Sequence, residues 1–469
     1  MLRSAPCRYI WSPDKKFRTW RELWLALATA EKELGLEITD EQLAEMAAHL
    51  EDINYDVAAA KEKELRHDVM GHIHAFGAQC PAAMPIIHLG ATSCYVADNT
   101  ELIQIRESLK LIKHKLVHLI DNLRTFADDN KDMPTLGFTH YQPAQLVTVG
   151  KRASLWLQDF LFDYHAIAAE IDWLPFRGVK GTTGTQASFM ELFDGDGEKI
   201  RQLDEKVTTR MGFSRSISVS GQTYTRKIDY RVVSLLSGIA QSAMKMATDI
   251  RLLSNLKEIE EPFESSQVGS SAMAYKRNPM RSERICSLSR FVMSLVANTA
   301  QTHSSQWFER TLDDSANRRI VLPEAALATD VVLTLANNVV SGLKIWPKVI
   351  EARVMQELPF MATEVILMAC VKAGGDRQDL HEAVRELSMQ SAKVVKEEGK
   401  PNDLLERIAG DARFVAVHDK LHELMKPELF IGRSSEQVSE FLAADVDPLL
   451  QSPECQELLN VDSKDDVGV

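Results

Sequence analysis

The chain has 469 residues, with 54 basic and 67 acidic side chains, which gives a formal net charge of −13 at pH 7. Its 45 % hydrophobic and 26 % charged residues are typical of a globular protein and exclude disorder as the dominant state. The negative charge argues against non-specific nucleic-acid binding, which needs a basic surface. No uninterrupted apolar stretch reaches the roughly 18 residues that span a bilayer, so we expect neither nucleic acid nor a membrane as a partner.

The cysteines predict a reducing compartment. They are scattered, with no Cys-x-x-Cys pair, as is typical of buried thiols rather than a disulfide framework or a zinc site. They are Cys7, Cys80, Cys94, Cys286, Cys370 and Cys455. The basic start of the chain faintly resembles a transit peptide, but a helix predicted from near Phe17 leaves little to cleave. We therefore expect a cytoplasmic protein.

Short helices are predicted at the start of the chain. Thr19-x-x-Glu22 reads as a capping box that opens a helix, and Gly35 ends it. Thr39-x-x-Gln42 opens a second helix in the same way. Breaks at Gly, Pro and His-rich turns continue to about residue 92. Residues 1–92 are thus predicted to form an N-terminal helical domain.

A long-helix bundle is predicted next. From Leu102 to Phe126, apolar residues recur at alternating steps of three and four without a Gly or Pro, which predicts a helix in coiled-coil-like packing. Similar stretches follow at 144–172, 226–260, 280–305 and 322–345. Residues 93–345 therefore read as a central bundle whose extensive apolar stripes indicate oligomerisation.

Shorter helices return after the bundle. Pro347, Pro359, Gly374-Gly375 and Pro401 punctuate the last part of the chain, which predicts a C-terminal helical domain over 346–469. No β-alternation of any length is found. The predicted fold is all-α, with three helical domains arranged around a long central bundle.

The breaks between the long helices carry the candidate chemistry. From Val268 to Pro279, two serines follow a glycine and precede a lysine, an arginine and an asparagine. Nearby positive charge and free backbone N–H groups can lower the pKa of a serine enough for it to act as a base. The alternative is a serine-capped turn. From Thr135 to Gln145, His140 is flanked by hydroxyl and amide groups that could orient its ring, although a histidine in a turn can also be a cap.

Other segments favour an anionic ligand. The histidines between Arg66 and His74 lack the spacing of a metal site, whereas Arg66 with His67 suits an anion. Basic residues also gather at 276–284 and around Ser315 in this acidic chain. Arginine can bind carboxylate or phosphate with two hydrogen bonds, although such charges can also be a solvated helix face. The Gly/Thr loop at 177–185 lacks the phosphate-loop spacing, so ATP hydrolysis is not expected.

Taken in order, these segments resemble the fumarase/aspartase superfamily, whose shared loop reads Gly-Ser-Ser-x-Met-Pro-x-Lys-x-Asn-Pro. The resemblance is greatest to its adenylosuccinate lyase family of animal type and extends over nearly the whole chain from about residue 16. The segments that carry it are Lys-Phe-Arg-Thr-Trp20, Arg-His-Asp68, His-Leu-Gly-Ala-Thr-Ser-Cys94, Leu-Gly-Phe-Thr-His140, Lys-Gly-Thr-Thr-Gly-Thr-Gln186, Gly-Gln-Thr-Tyr-Thr-Arg-Lys227, Tyr-Lys-Arg-Asn-Pro-Met-Arg-Ser-Glu-Arg284 and Trp-Phe-Glu-Arg-Thr-Leu-Asp-Asp-Ser-Ala-Asn-Arg-Arg319.

The resemblance implies an anti β-elimination that releases fumarate from adenylosuccinate and from the succinylated aminoimidazole carboxamide ribotide of purine synthesis. It implies Ser270 as the base, with Ser271 a weaker candidate, His140 as the acid and Glu283 as the residue that orients the histidine. Lys276 and Asn278 would hold the succinyl carboxylates. Positions that match nucleotide, phosphate or succinyl contacts are Arg66, His67, Asp68, Thr92, Ser93, Gln222, Arg284, Arg310, Ser315 and Arg319. The family further implies a homotetramer with sites shared between subunits, and neither a cofactor nor a metal.

Two departures from the family pattern stand out. Ala274 occupies the position of a proline in the shared loop, which removes a restraint on φ. The family also places an Arg-Tyr substrate pair well ahead of the segment that ends at Trp20, and Arg8-Tyr9 lies too close to it, so we assign no residue to that pair. Alternative functions are another fumarate-releasing enzyme, such as argininosuccinate lyase, or a catalytically silent protein on the same scaffold. The arginines around Ser315 argue against the first alternative, and retention of Ser270 and His140 argues against the second.

Overall fold

The computed structural model describes residues 4–264, 272–273 and 275–461. The N-terminal part is helical, as predicted. Its helices are α1 (Ala5–Ile10), α2 (Pro13–Glu33), α3 (Asp40–Ala48), α4 (Tyr55–Leu65) and α5 (Asp68–Gln79). The capping box at Thr39 and Gln42 is confirmed by both of its hydrogen bonds.

The predicted start of α2 at Thr19 is wrong. Ser12 caps the helix by accepting a hydrogen bond from the Lys15 N–H, and Pro13 occupies the first helical position, where its missing N–H has no cost. Thr19 lies inside the helix and donates its hydroxyl proton to the Lys15 carbonyl at 2.8 Å. A Ser-Pro pair seven residues upstream is therefore the actual helix start.

The central part is built on long helices, as predicted. In chain order its elements are α6 (Ser93–Asp129), β1 (Pro134–Thr139), β2 (Gln142–Thr148), α7 (Val149–Trp173), α8 (Ala187–Leu192), α9 (Gly197–Arg210), α10 (Lys227–Asn255), β3 (Ile259–Glu260), α11 (Met280–Ser304), α12 (Asp313–Ser341) and β4 (Lys344–Ile345). The 37-residue α6 contributes an almost continuous buried stripe from Leu102 to Leu123. At 1.5 Å per residue, α6 is about 55 Å long.

Side-chain contacts define the helix directions. Arg318 pairs with Glu101 near the starts of α12 and α6, and Asn122 donates to Asn337 near their ends, so these two helices are parallel. The start of α11 meets the end of α12 through Arg281 and Asn338, so α11 runs in the opposite direction. One end of the bundle therefore holds the starts of α6 and α12, and the other end holds the start of α11.

The segment around His140 is a β-hairpin, which the sequence analysis missed. Strands β1 and β2 pair antiparallel, from Pro134 with Thr148 to Thr139 with Gln142. The helical stretch expected from residue 144 begins only at Val149, with Thr148 as its cap, and the residues before it, including Pro143, lie in β2. Since the described strands are few and short, the all-α fold class is confirmed.

The C-terminal part consists of shorter helices. They are α13 (Pro347–Met361), α14 (Thr363–Lys372), α15 (Arg377–Glu398), α16 (Leu404–Gly410), α17 (Leu421–Leu424), α18 (Ser434–Phe441), α19 (Asp447–Leu450) and α20 (Pro453–Leu459). Helices α13–α17 share a hydrophobic core with Leu136 and Leu146 of the hairpin. The core of the bundle continues instead to Val438 and Cys455, so the last helices pack back onto the long ones.

Two stretches of the described ranges are long and apolar enough to cross a membrane: α12, and the pair α13–α14, which is bent by 52°. In α12, 72 % of the most apolar window is buried inside the fold. Its apolar composition therefore matches its place in the centre of the bundle.

Candidate active site

Most of the predicted substrate-binding residues meet at the end of the bundle where α6 and α12 begin. We call them the Arg319 cluster; its members are Arg66, His67, Asp68, Thr92, Ser93, Gln222, Arg310, Ser315 and Arg319. Arg319 donates to Asp68 at 3.3 Å, and His67 Nε2 lies 3.3 Å from the Ser93 hydroxyl. Arg66 ends α4 in a left-handed conformation, with φ of 58°. Cationic, imidazole and hydroxyl groups thus lie at one end of the bundle, as a multiply anionic ligand requires.

Backbone contacts place Gln222 and Arg310 in this cluster. The Gln222 N–H donates to the Glu309 carbonyl at 3.0 Å, which joins the loop before α10 to the loop before α12. Gly221 and Gly184 allow this close approach. A Cβ on Gly221 would lie 2.5 Å from the Glu309 oxygen, and one on Gly184 would lie 1.7 Å from the Ser220 oxygen. The Gly/Thr loop at 177–185 therefore supports the site through its shape, and its glycines are needed for packing.

A buried ionic network lies beneath the Arg319 cluster. Arg226 pairs with Asp98 at 3.0 Å and with Asp314 at 2.7 Å, and Arg310 of the cluster donates to the same Asp314 at 3.3 Å. Burial raises the pKa of Asp98, but Arg226, Arg318 and Arg177 outweigh it and hold that pKa below its usual value. Asp98 is thus ionised, and the network fixes Arg310 from below.

The same network continues to the next turn of α12. Arg318 donates to Asp229 at 2.6 Å and pairs with Glu101 at 2.6 Å, and the Tyr224 hydroxyl donates to Asp229. Arg318 is one of the basic residues around Ser315, and it is buried and fully occupied by these carboxylates. The spacing of Arg310 and Asp314, one helical turn apart, was the available signal for a structural pair in this network.

Lys16 is a neighbour of the site that sequence reasoning did not single out. Burial lowers the pKa of its ammonium group, and the positive charge of Arg319 lowers it further, while Glu101 and Asp68 act in the opposite direction. It lies in α2, in the Lys-Phe-Arg-Thr-Trp segment that carries part of the resemblance. A second cation therefore stands close to Arg319 at this end of the bundle.

His140 lies at the tip of the β1–β2 hairpin, at the other end of α6. Its φ is 52° and that of Tyr141 is 56°, so both residues adopt the left-handed region that a two-residue hairpin turn requires. Asn-Gly is the pair that fits such a turn best, and a His-Tyr pair costs backbone strain. His140 is exposed. The hairpin tip therefore presents a strained, exposed histidine, and its role as the acid stays a prediction.

Arg152 in the first turn of α7 holds the hairpin from its base. It donates to the Leu136 carbonyl at 2.5 Å. Its positive charge also interacts with the carboxylate of Glu258, which pairs with Arg353 of α13 at 3.0 Å. The hairpin is thereby tied both to the bundle and to the C-terminal helices.

The remaining predicted catalytic residues stand around the start of α11. Lys276 and Glu283 are exposed, and Asn278 and Arg284 are partly exposed. The Glu283 N–H donates to the Pro279 carbonyl, which places its carboxylate in the first helical turn. The predicted base Ser270, with Ser271 and the departure at Ala274, lies outside the described residues.

Within one chain the predicted site residues do not converge. Helix α6 separates Ser93 of the Arg319 cluster from the hairpin by about 55 Å, and a strand the length of β1 spans only about 20 Å. Even a hairpin folded back along α6 would leave His140 roughly 35 Å from the cluster. Since Arg281 contacts Asn338, the start of α11 lies about 30 Å along α12 from Arg319.

Comparison with known proteins agrees with the resemblance. The family described as "Lyase" matches residues 11–294, more than half of the chain, and the family described as "Adenylosuccinate lyase C-terminus" matches residues 359–441. The adenylosuccinate lyase of Saccharomyces cerevisiae is 55 % identical over 439 residues, which cover 93 % of this chain and 91 % of the yeast protein. That of Schistosoma mansoni is 48 % identical over 452 residues, covering 96 % and 94 %.

The chain belongs to the adenylosuccinate lyase family. It is therefore an enzyme, a carbon–nitrogen lyase, as the sequence predicted. Solved structures confirm the fold: a 3-carboxy-cis,cis-muconate lactonizing enzyme from Pseudomonas putida matches with a TM-score of 0.80 at 21 % identity, over 97 % of this chain and 98 % of that one. A fumarate lyase from Mesorhizobium matches with a TM-score of 0.78 at 21 % identity, over 94 % and 98 %. The individual residue roles stay predictions.

Proposed function

We propose that this enzyme cleaves adenylosuccinate to AMP and fumarate, and the succinylated aminoimidazole carboxamide ribotide to its carboxamide and fumarate. The observation that carries the proposal is the near-full-length identity to adenylosuccinate lyases, 55 % for the yeast protein. The chemical composition of the Arg319 cluster supports a nucleotide with a phosphate and carboxylates. Six buried cysteines support a reducing, cytoplasmic location.

The proposed chemistry assigns one role to each group of residues. Ser270 removes a proton next to a carboxylate of the succinyl part, and the carbanion that forms needs positive charge that is already in place. Lys276 and Asn278 supply it by binding the carboxylates. His140 protonates the departing nitrogen, and Glu283 orients the imidazole; an acid or base of this kind contributes about 10²–10⁴-fold to the rate.

The proposed binding end is the Arg319 cluster. Arg66, Arg310 and Arg319 provide the charge for the anionic groups of the nucleotide, and Thr92, Ser93 and Ser315 provide hydroxyl donors. His67, Asp68 and Gln222 complete the contacts of the cluster, and Arg284 adds one from the start of α11.

We further propose that the enzyme is a homotetramer in which subunits share each site. A separation of roughly 35 Å between His140 and the Arg319 cluster is too large for one nucleotide to bridge within a chain. Residues at opposite ends of a bundle meet when bundles pack side by side in opposite directions. Exposed apolar side chains beside the cluster, Phe308 and Leu312, support such packing.

The reaction is tested by adding the purified protein to adenylosuccinate and following the ultraviolet absorbance, with fumarate measured by a coupled assay. AMP and fumarate in equal amounts are expected. Ser270→Ala and His140→Ala should nearly abolish turnover while the oligomer, measured by light scattering, stays intact. Near-normal activity in either variant would overturn its assignment as base or acid.

Shared sites are tested by mixing two inactive variants, His140→Ala and Arg319→Ala, under conditions that exchange subunits. If the two residues of one site come from different chains, some hybrid sites regain one intact copy of each, and activity rises above the sum of the separate variants. A second mixture, His140→Ala with Ser315→Ala, should also restore activity, because this pair of residues also spans the two ends. No recovery in either mixture would mean that one chain supplies both ends.

A further inference from the structure

Two histidines on α6 meet the C-terminal segment far from the proposed active-site residues. His114 and His118 are one helical turn apart, and their Nε2 atoms lie 3.1 Å from each other. His114 Nε2 is 3.0 Å from the Leu458 carbonyl oxygen and 3.4 Å from that of Val461. His118 Nε2 is 3.1 Å from the Val461 oxygen. Two nitrogens of α6 and two carbonyl oxygens of the C-terminal segment therefore form one group, linked by contacts of 3.0–3.4 Å.

Hydrogen bonds cannot satisfy all of these contacts at once. Each Nε2 carries at most one proton, and carbonyl oxygens only accept. If both nitrogens donate to carbonyls, they lie 3.1 Å apart with no hydrogen bond between them. If one nitrogen lacks its proton, its lone pair faces a carbonyl oxygen. Every arrangement of protons thus leaves at least one of these contacts without a hydrogen bond.

A single cation at the centre would satisfy all four atoms. Imidazole nitrogens bind Zn²⁺ at about 2.0–2.1 Å, and two such bonds in a tetrahedral site place the nitrogens roughly 3.3 Å apart, close to the spacing found here. Paired nitrogens favour Zn²⁺, Cu²⁺ or Ni²⁺ over Mg²⁺ or Ca²⁺, which prefer oxygen ligands.

We propose that His114 and His118 form a binding site for a divalent transition-metal ion, closed by the backbone carbonyls of Leu458 and Val461. Within the described residues no group of three His, Cys, Asp or Glu side chains could hold a metal. This site has two such side chains, and its other two ligands are backbone oxygens. The ion would link the end of α20 to the middle of α6. Lys113 of α6 also pairs with Glu454 of α20, which places the same two elements in contact independently of the metal.

The test is isothermal titration of Zn²⁺ into the untagged, metal-free full chain and three variants. His114→Gln and His118→Gln each remove one nitrogen ligand, and His165→Gln removes an exposed histidine of α7 as the matched control. One Zn²⁺ site per chain is expected in the parent and the control. Its affinity should fall about tenfold or more in each pair variant.

Two further measurements keep the proposal falsifiable if a variant folds poorly. Electron paramagnetic resonance of Cu²⁺ bound to the parent chain should show two nitrogen ligands. Hydrogen exchange of the amides at 456–461 should slow when Zn²⁺ is added to the parent and not to His118→Gln. Equal Zn²⁺ affinity in the parent and both pair variants, or no binding by the parent, would overturn the proposal and leave a hydrogen-bonded contact.

Discussion

Replacing Glu31 with glutamine should remove the contribution of this residue to the pH dependence of the free energy of unfolding. Glu31 in α2 is fully buried, and within the described residues neither of its carboxylate oxygens has a hydrogen-bond partner. Burial raises its pKa from 4.5 to about 9. The group is therefore neutral in the folded protein at pH 7 and ionised in the unfolded chain.

The size of the effect follows from linkage. Because the folded pKa is the higher one, the stability that Glu31 contributes is complete below pH 4.5 and is lost as the pH rises to about 9. Each pH unit in that window costs about 1.4 kcal/mol, so the loss between about pH 5.5 and about pH 8.5 is about 4 kcal/mol. Glu31→Gln removes this loss, since glutamine does not titrate.

The assay is urea unfolding followed by tryptophan fluorescence across that pH range, at one protein concentration. The free energy of unfolding of Glu31→Gln, relative to the parent, should rise with pH by the amount given above. Glu33→Gln is the matched control in the same helix: hydrogen bonding to Lys206 lowers the pKa of Glu33, so its effect should not change with pH in this window. Parallel pH curves for the parent and Glu31→Gln would refute the reasoning.

Three further changes test other parts of the structure. Arg152→Met removes the donor to the Leu136 carbonyl. With adenylosuccinate as substrate, kcat should fall by up to about 100-fold with little change in KM. An unchanged kcat would contradict a positioning role for the hairpin. Asp314→Asn breaks a buried pair with Arg226 and should lower the free energy of unfolding by about 3–5 kcal/mol, measured by urea titration, and no loss would count against the network. Gly184→Ala forces a contact with the Ser220 oxygen and should lower the free energy of unfolding by more than about 1 kcal/mol. Gly399→Ala, at a similar positive φ but in open space, should lower it by less. Equal losses in the two variants would show that φ alone matters.

The long helices were predictable because their periodicity is local. The stripe from Leu102 to Leu123 repeats over several turns and specifies a helix whatever packs on it. The capping box at Thr39 was equally local and correct. The start of α2 was missed because the segment holds two capping signals, one at Ser12 with Pro13 and one at Thr19. Only the second lies next to the apolar repeat of the helix.

The hairpin around His140 was not predictable in the same way. Its strands are six and seven residues long, half exposed, and contain Pro143, so they carry little alternation. Its place is set by contacts distant in sequence, such as the core that Leu136 and Leu146 share with α13–α17. The roles of Arg226 and Arg318 also depend on such contacts, because a buried arginine and a ligand-binding arginine look alike in a sequence.

By itself, the sequence determined the all-α class, the long bundle and the family, since helical periodicity and motif order survive without coordinates. Only the tertiary structure decided which charged residues are free to meet a ligand and which are neutralised by buried partners. It also placed His140 and the Arg319 cluster at opposite ends of α6. The physical reason is that burial, ion pairing and separation in space arise from packing between segments far apart in the chain, and no local pattern records them.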